Sequence, residues 1–244
     1  MIGRVIDRMV VYGSHKKDGK RGVEYRAYSI VTKDASKLCV VLPPWHIAPR
    51  LWKKFQNNII EQGYSLVVVE AAENILVPDP AQIVRNFQKV RQMAIDEIEK
   101  VCKIQPIDEI DLVGMSLGSV SALYLAVSGL VINKMILLVP SDDLGEGIWY
   151  GTRTTHIRSV IERAGTTLEE FQAALNELTL RRPVQMNITE LHVYLSKDDD
   201  VIPYQLGLRL IRRCEELGLS VRAIENKWRG HYMAFVLFCL KGKI

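Results

Sequence analysis

The stretch that decides the fold is Ile110-Asp111-Leu112-Val113-Gly114-Met115-Ser116-Leu117-Gly118-Ser119-Val120-Ser121-Ala122-Leu123. Its first four residues are short, apolar and β-branched in part, bounded upstream by Pro106, which reads as a buried strand. From Leu117 to Val127 the residues are small or apolar on every side, which reads as a helix buried all round. Between them Gly114-Met115-Ser116-Leu117-Gly118 fits G-x-S-x-G. A strand that turns sharply into a helix here sets Ser116 at the corner with its hydroxyl exposed. The flanking glycines allow a close backbone approach that a Cβ would block. The N-terminus of the helix, and the Leu117 N–H in particular, faces any negative charge that forms beside Ser116.

Outward from this stretch, short apolar runs alternate with amphipathic segments. Leu38–Leu42, Ser65–Val69, Lys134–Val139, Glu190–Leu195 and Ser220–Glu225 read as further buried strands. Arg50–Gln62, Pro80–Cys102, Gln205–Glu216 and Tyr232–Leu240 read as helices. Continuous Val/Ile/Leu strands alternating with helices predict an α/β fold, a mostly parallel sheet with helices on both faces. Val5–Tyr12 and Glu24–Thr32 add an N-terminal hairpin around the basic turn Gly13–Gly22. The expected sheet has eight strands or slightly fewer. No repeat or Pro/Gly-rich linker divides the chain, so residues 1–244 are expected to form a single domain. One segment breaks the alternation. Residues 141–189 stand where a short crossover would suffice. There Thr166 or Thr167 with Glu169 or Glu170 forms a capping-box pattern, followed by Leu168, Phe171, Leu175 and Leu178 at helical spacing, with a second short helix over His156–Ala164. This insertion lies at the end of the sheet where ligands bind in open α/β folds, and reads as a small helical lid.

A serine hydroxyl needs a base to become a nucleophile, and the base needs an acid to orient it. The segment after Leu195 reads Ser196-Lys197-Asp198-Asp199-Asp200-Val201-Ile202-Pro203, and the segment after Glu225 contains Gly230-His231. Serine, acid and histidine thus follow in one order along the chain, each just after a strand.

On these residues the chain resembles the α/β-hydrolase superfamily from Leu38 to Leu240. In that family the acid often lies in a G-x-x-D-x-x-V-P-like turn and the base in a Gly-His turn before the last helix. The resemblance implies Asp199 as the acid, by its spacing to Pro203, and His231 as the base. Ser196 stands where the family often has glycine. Spacing alone does not separate Asp199 from Asp198 and Asp200. Asp142 and Asp143, after the preceding strand, offer a rarer acid position. The second oxyanion donor usually follows a His-Gly pair, whereas this chain has Pro43-Pro44-Trp45-His46. Proline has no N–H to give, so the resemblance implies the Trp45 backbone as donor beside that of Leu117. His46, Met115 and Trp149 are the candidate substrate-binding residues. Tyr150, His156, Phe171, Arg181 and Arg182 are available to line the entrance, and Arg153 and Arg158 to favour an anionic acyl group. His15 and His192, in the basic turn and in a strand, are read as surface or structural.

The resemblance implies a serine hydrolase that cleaves a carboxylic ester through an acyl-enzyme. Thioester or peptide cleavage and acyl transfer would use the same residues, and a non-catalytic binding protein would keep the same fold. A dehalogenase-type reaction would want Asp at the corner rather than Ser116. No dinucleotide fingerprint, phosphate loop, zinc spacing or EF-hand pattern occurs, so the expected reaction needs no cofactor and no metal.

The 244 residues carry 32 Lys and Arg against 28 Asp and Glu, a net charge of +4. That excess is slight and implies neither a nucleic-acid nor a membrane partner; a small-molecule acyl substrate is the partner that the resemblance implies. Four dispersed cysteines, Cys39, Cys102, Cys214 and Cys239, each in an apolar stretch, read as core thiols in a reducing compartment. With charges interrupting the N-terminal segment, the expectation is a cytoplasmic protein. Oligomeric state is not legible in the sequence.

Overall fold

The computed structural model describes residues 8–11, 15–17, 24–44, 48–71, 75–179, 185–226, 230–241 and 244. Its centre is a sheet in which β4 (Lys37–Leu42), β5 (Tyr64–Ala71), β6 (Glu109–Met115), β7 (Val131–Leu138), β8 (Asn187–Ser196) and β9 (Val221–Asn226) run parallel. On the β5 side, β3 (Glu24–Thr32) adds antiparallel, and β1 (Arg8–Val11) and β2 (His15–Lys17) each pair antiparallel with β3. The described residues thus give nine strands, in the order β1-β3-β5-β4-β6-β7-β8-β9 with β2 also on β3. The expected count was eight or fewer. The difference arises in the basic segment after Tyr12, where His15–Lys17 forms a short paired strand inside what reads as a turn.

Successive residues of each central strand serve opposite faces, and both faces are covered. Leu38, Val40 and Leu42 face a layer containing α2 (Pro80–Ile104), α3 (Leu117–Ala126) and α7 (Tyr204–Glu216). Cys39 and Val41 face α1 (Pro49–Glu61) and α8 (His231–Lys241). This two-sided burial explains why the strands read as unbroken apolar runs rather than alternating ones. The helix ends follow their local sequence. Pro49 and Pro80 open α1 and α2, and the Asp79 side chain accepts from the Gln82 N–H at 3.2 Å. Three of the cysteines are buried, but Cys102 is exposed on α2, where its neighbours on the helix carry charge to solvent.

The chain leaves β4 for β5 on one side and later returns to β6 on the other. The reversal opens a crevice at the carboxyl ends of β4 and β6, the place where such sheets bind ligands. Between β7 and β8 lie α4 (Leu144–Tyr150), α5 (Thr155–Arg163), α6 (Leu168–Ala174) and a 3-10 turn at Asn176–Leu178. The capping box of α6 is Thr167 with Glu170, each side chain bonding the other's backbone N–H. The helix α4 has no counterpart in the sequence reading, and β8 begins at Asn187, taking the last residues assigned to the insertion. Among the described residues no helix is long and apolar enough to cross a membrane.

Candidate active site

Ser116 sits at the corner between β6 and α3 with φ 54° and ψ −119°. These angles belong to the first central position of a type II′ turn, which glycine normally fills. The surroundings hold it there. The Ser116 N–H donates to Leu138 O at 2.8 Å, and the Ser119 hydroxyl, fully buried, donates to Gly114 O at 3.0 Å. Both motif glycines are required by contact. A Cβ on Gly118 would lie 2.0 Å from Leu42 O, and one on Gly114 would lie 2.7 Å from Ser119 Cα. Helix α3 therefore packs directly on the ends of β4 and β6.

His231 opens α8 and is 5% exposed. Its Nε2 is 2.9 Å from Ser116 Oγ, and its Nδ1 is 2.8 and 3.0 Å from Asp199 Oδ2 and Oδ1. A carboxylate only accepts, so Nδ1 carries the ring proton and Nε2 is free to accept from the serine. Asp199 is fixed in turn. Its Oδ1 accepts the Val201 and Ile202 backbone N–H groups, each at 2.8 Å. The Phe235 ring stands edge-on to the imidazole with centroids 5.0 Å apart and an interplanar angle of 86°. The imidazole is held by Asp199 on one side and by an aromatic on the other.

The three adjacent carboxylates are now separated. Asp198 is exposed. Asp200 Oδ1 accepts the His231 backbone N–H at 3.3 Å, and only Asp199 meets the ring. The rarer acid position has another use. Asp142, with its side chain wholly buried, takes both ends of Arg209 at 2.9 Å each and approaches Arg213 at 3.0 Å. Asp143 caps α4 by accepting from the Glu146 N–H at 2.9 Å, and accepts from the Gln172 amide at 3.0 Å. Neither side chain is bonded to His231. His192 lies in β8 beside Glu190, its pKa lowered by burial, and His156 is exposed on α5.

Beside this chain of hydrogen bonds lies a cavity of about 90 Å³ with largely apolar walls. Val120 and Leu117 from α3, Leu144 and Ile148 from α4, Ile202 after Asp199 and Phe235 after His231 are among its apolar lining. Leu117 is the first residue of α3, so its N–H has no acceptor within the helix. Two substrate-binding expectations are corrected. Met115 is fully buried in the opposite core layer, because one step along a strand reverses the side chain, and it does not line the cavity. Trp149 packs on Phe171, centroids 6.3 Å apart, and likewise stays outside the cavity wall. Phe171 is itself wholly buried. Trp45, His46, Arg181 and Arg182 lie outside the described residues. The lining from α4 was missed because Leu144 and Ile148 sit in a segment with no repeated pattern. Tyr232 and Phe235 had a signal, since they follow His231 on one helix.

No family model matches the sequence, and no curated protein matches it either. Solved structures do. The carboxyl esterase 2 of the mycorrhizal fungus Tuber melanosporum is 16% identical, with a TM-score of 0.60 over 99% of this chain and 88% of that one. An esterase of Pyrococcus furiosus is 12% identical, with a TM-score of 0.62 over 98% and 90%. The acylaminoacyl peptidase of Pyrococcus horikoshii is 15% identical, with a TM-score of 0.66 over 93% of this chain. The chain has the α/β-hydrolase fold. It spans 38% of the length of the acylaminoacyl peptidases it matches, but nearly the whole of the esterases. Within the α/β-hydrolase fold, the crevice at the ends of β4 and β6 is where Ser116, His231 and Asp199 converge.

Proposed function

We propose that this chain is a serine hydrolase that cleaves a carboxylic ester through a covalent acyl-enzyme. The observation that carries the reading is the unbroken chain Ser116 Oγ, His231 Nε2, His231 Nδ1, Asp199, with contacts of 2.8–3.0 Å, at a strained corner beside an apolar cavity. Ser116 Oγ attacks the acyl carbonyl while its proton passes to His231 Nε2. Asp199 keeps the ring in the right tautomer and stabilises the imidazolium. The Leu117 N–H, at the positive end of α3, and the Trp45 N–H receive the charge on the carbonyl oxygen. The tetrahedral adduct then expels the alcohol, which takes the proton from Nε2. Water repeats the sequence in reverse roles and releases the acid. The apolar wall contributed by the 141–189 insertion holds the acyl chain, and that insertion acts as the specificity element.

The test is labelling with a fluorophosphonate, with mass mapping of the adduct, alongside hydrolysis of 4-nitrophenyl hexanoate. Labelling at Ser116 that disappears in Ser116→Ala and in His231→Ala, together with ester turnover, is the expected result. Folded protein that neither labels nor turns over the ester would sink the reading.

A further inference from the structure

Among the described residues, one cationic side chain lines the cavity with several hydrogen-bond donors left over. Ser141 Oγ is taken up by the Asp143 backbone, donating to its carbonyl at 2.7 Å and accepting its N–H at 3.1 Å. Thr154 Oγ1 donates to Ile148 O at 2.6 Å. Ser116 and His231 are bonded to each other. The remaining polar side chains are Tyr232, whose hydroxyl accepts from Arg153, and Arg153 itself, exposed to solvent but lining the cavity. Among the described residues one of its five N–H donors is used, Nη1 donating to the Tyr232 hydroxyl at 2.8 Å. Its guanidinium carbon also lies 4.7 Å from the centre of the Tyr232 ring. Among the described residues it forms no ion pair.

The guanidinium is held in position. Stacking on Tyr232 restricts its rotamers, and the Tyr232 ring stands edge-on to His231 with centroids 6.3 Å apart. The turn that carries it is tied to the acid loop, because Thr152 Oγ1 donates to Asp200 O at 2.5 Å. The same turn has no room for a side chain at Gly151, where a Cβ would lie 2.4 Å from Gly147 O. A planar fork with free donors, one aromatic ring away from the base, is prepared for a carboxylate or other oxyanion. Arg158, the other arginine of the segment, is not. Its Nη1 donates to Trp149 O at 3.2 Å, its Nε lies 3.7 Å from Glu162, and it does not line the cavity.

We propose that Arg153 is a specificity-determining residue and that the substrate is amphipathic, with one apolar arm in the cavity and an oxyanion on the other, held by Arg153 at the mouth. The proposal rests on the hydrolase reading above for its chemistry, though not for its binding. The anion sits either on the acyl arm or on the leaving arm, and the recognition is the same in both.

The experiment compares three substrates: 4-nitrophenyl hexanoate, the 4-nitrophenyl monoester of adipic acid, and 4-sulfophenyl hexanoate. Adipate puts the charge on the acyl arm and the sulfonate puts it on the leaving arm. At low salt one of the charged esters should exceed the neutral one in kcat/KM by about five- to tenfold, the scale of a charge-assisted pair at a half-open site. The ratio should fall to about one in Arg153→Ala, recover in part in Arg153→Lys, and shrink as salt is raised. Calorimetric titration of the same intact esters into Ser116→Ala reads the preference without turnover. A charged-to-neutral ratio that is the same in wild type and Arg153→Ala, or that favours the neutral ester, overturns the proposal. Absent turnover with an Arg153-dependent binding preference would sink the hydrolase reading and leave this one standing.

Discussion

Replacing Ser116 by glycine should stabilise the protein relative to replacing it by alanine. The two variants lose the same hydrogen bond to His231, 2.9 Å in the native chain, so that loss cancels in the comparison. They differ in the Cβ. At φ 54° and ψ −119° a Cβ-bearing residue sits in a region that L-residues rarely populate, at a cost of about 1–3 kcal/mol. Alanine retains that cost and glycine removes it. Against this, glycine gains conformational freedom in the unfolded chain, which lowers stability by about 0.5–1 kcal/mol. The residue is only half-buried, so the lost Cβ contact is a minor correction. The net expectation is Ser116→Gly more stable than Ser116→Ala by about 1 kcal/mol, which for a chain of this length is about 2–4 °C in Tm. Urea titration followed by circular dichroism, with the denaturant slope unchanged, measures the difference. Equal stabilities, or alanine the more stable, would refute the claim that the corner stores strain at the nucleophile.

The other expectations concern the acid, its neighbours, the close contact at Gly118 and the thiols. Asp199→Asn should lower kcat for ester hydrolysis by about 10³–10⁴, because an amide at that place leaves the imidazole in the wrong tautomer. Asp198→Asn, at an exposed side chain, should stay within about twofold in the same assay. Asp142→Ala leaves Arg209 with Glu146 alone and takes from Arg213 its carboxylate, and should cost about 1–3 kcal/mol by urea titration. Its folded fraction should still take the fluorophosphonate label at Ser116. Gly118→Ala drives a Cβ to 2.0 Å from the Leu42 carbonyl oxygen, so α3 must shift, and labelling should slow by about 10-fold or more. Iodoacetamide at mild alkaline pH should modify Cys102 alone in the native protein. Burial pushes the Cys214 and Cys239 thiols up to about 12 and raises Cys39 well above its ordinary value.

The strands and the corner at Ser116 were legible because their signals are local. A buried parallel strand writes itself as a run of Val, Ile and Leu, and the sharp turn requires glycines at fixed offsets, Gly114 and Gly118. The candidate acid was legible as a place, and as Asp199 only through the resemblance. Three neighbouring carboxylates look alike until the backbone N–H groups of Val201 and Ile202 select Asp199 by bonding it. The cavity walls were barely legible. Met115 adjoins the nucleophile in the chain yet points to the opposite face, while Leu144 and Ile148 are remote in sequence and adjacent in space. Cys102 misled for a related reason. An apolar stretch on a helix 25 residues long turns some of its positions outward whatever their neighbours are.

The helices between β7 and β8 read from sequence as a lid, and in the structure α4 is fastened to its surroundings at several points. Its first turn is locked to α7 through Arg209, which reaches Asp142 at 2.9 Å and Glu146 at 2.8 and 3.2 Å. Gly145 lets α6 approach so closely that a Cβ would meet the Gln172 side chain at 2.8 Å. The turn after it is bonded to the acid loop through Thr152 and Asp200. Swinging α4 away would expose a buried carboxylate with its two arginines and separate the close α4–α6 contact, a cost of several kcal/mol before any apolar wall is wetted. The turn that follows α4 in the cavity wall thus ties Arg153 to the loop that carries Asp199. On the proposed reading, a substitution that loosens α4 should disturb acyl preference and the orientation of His231 together.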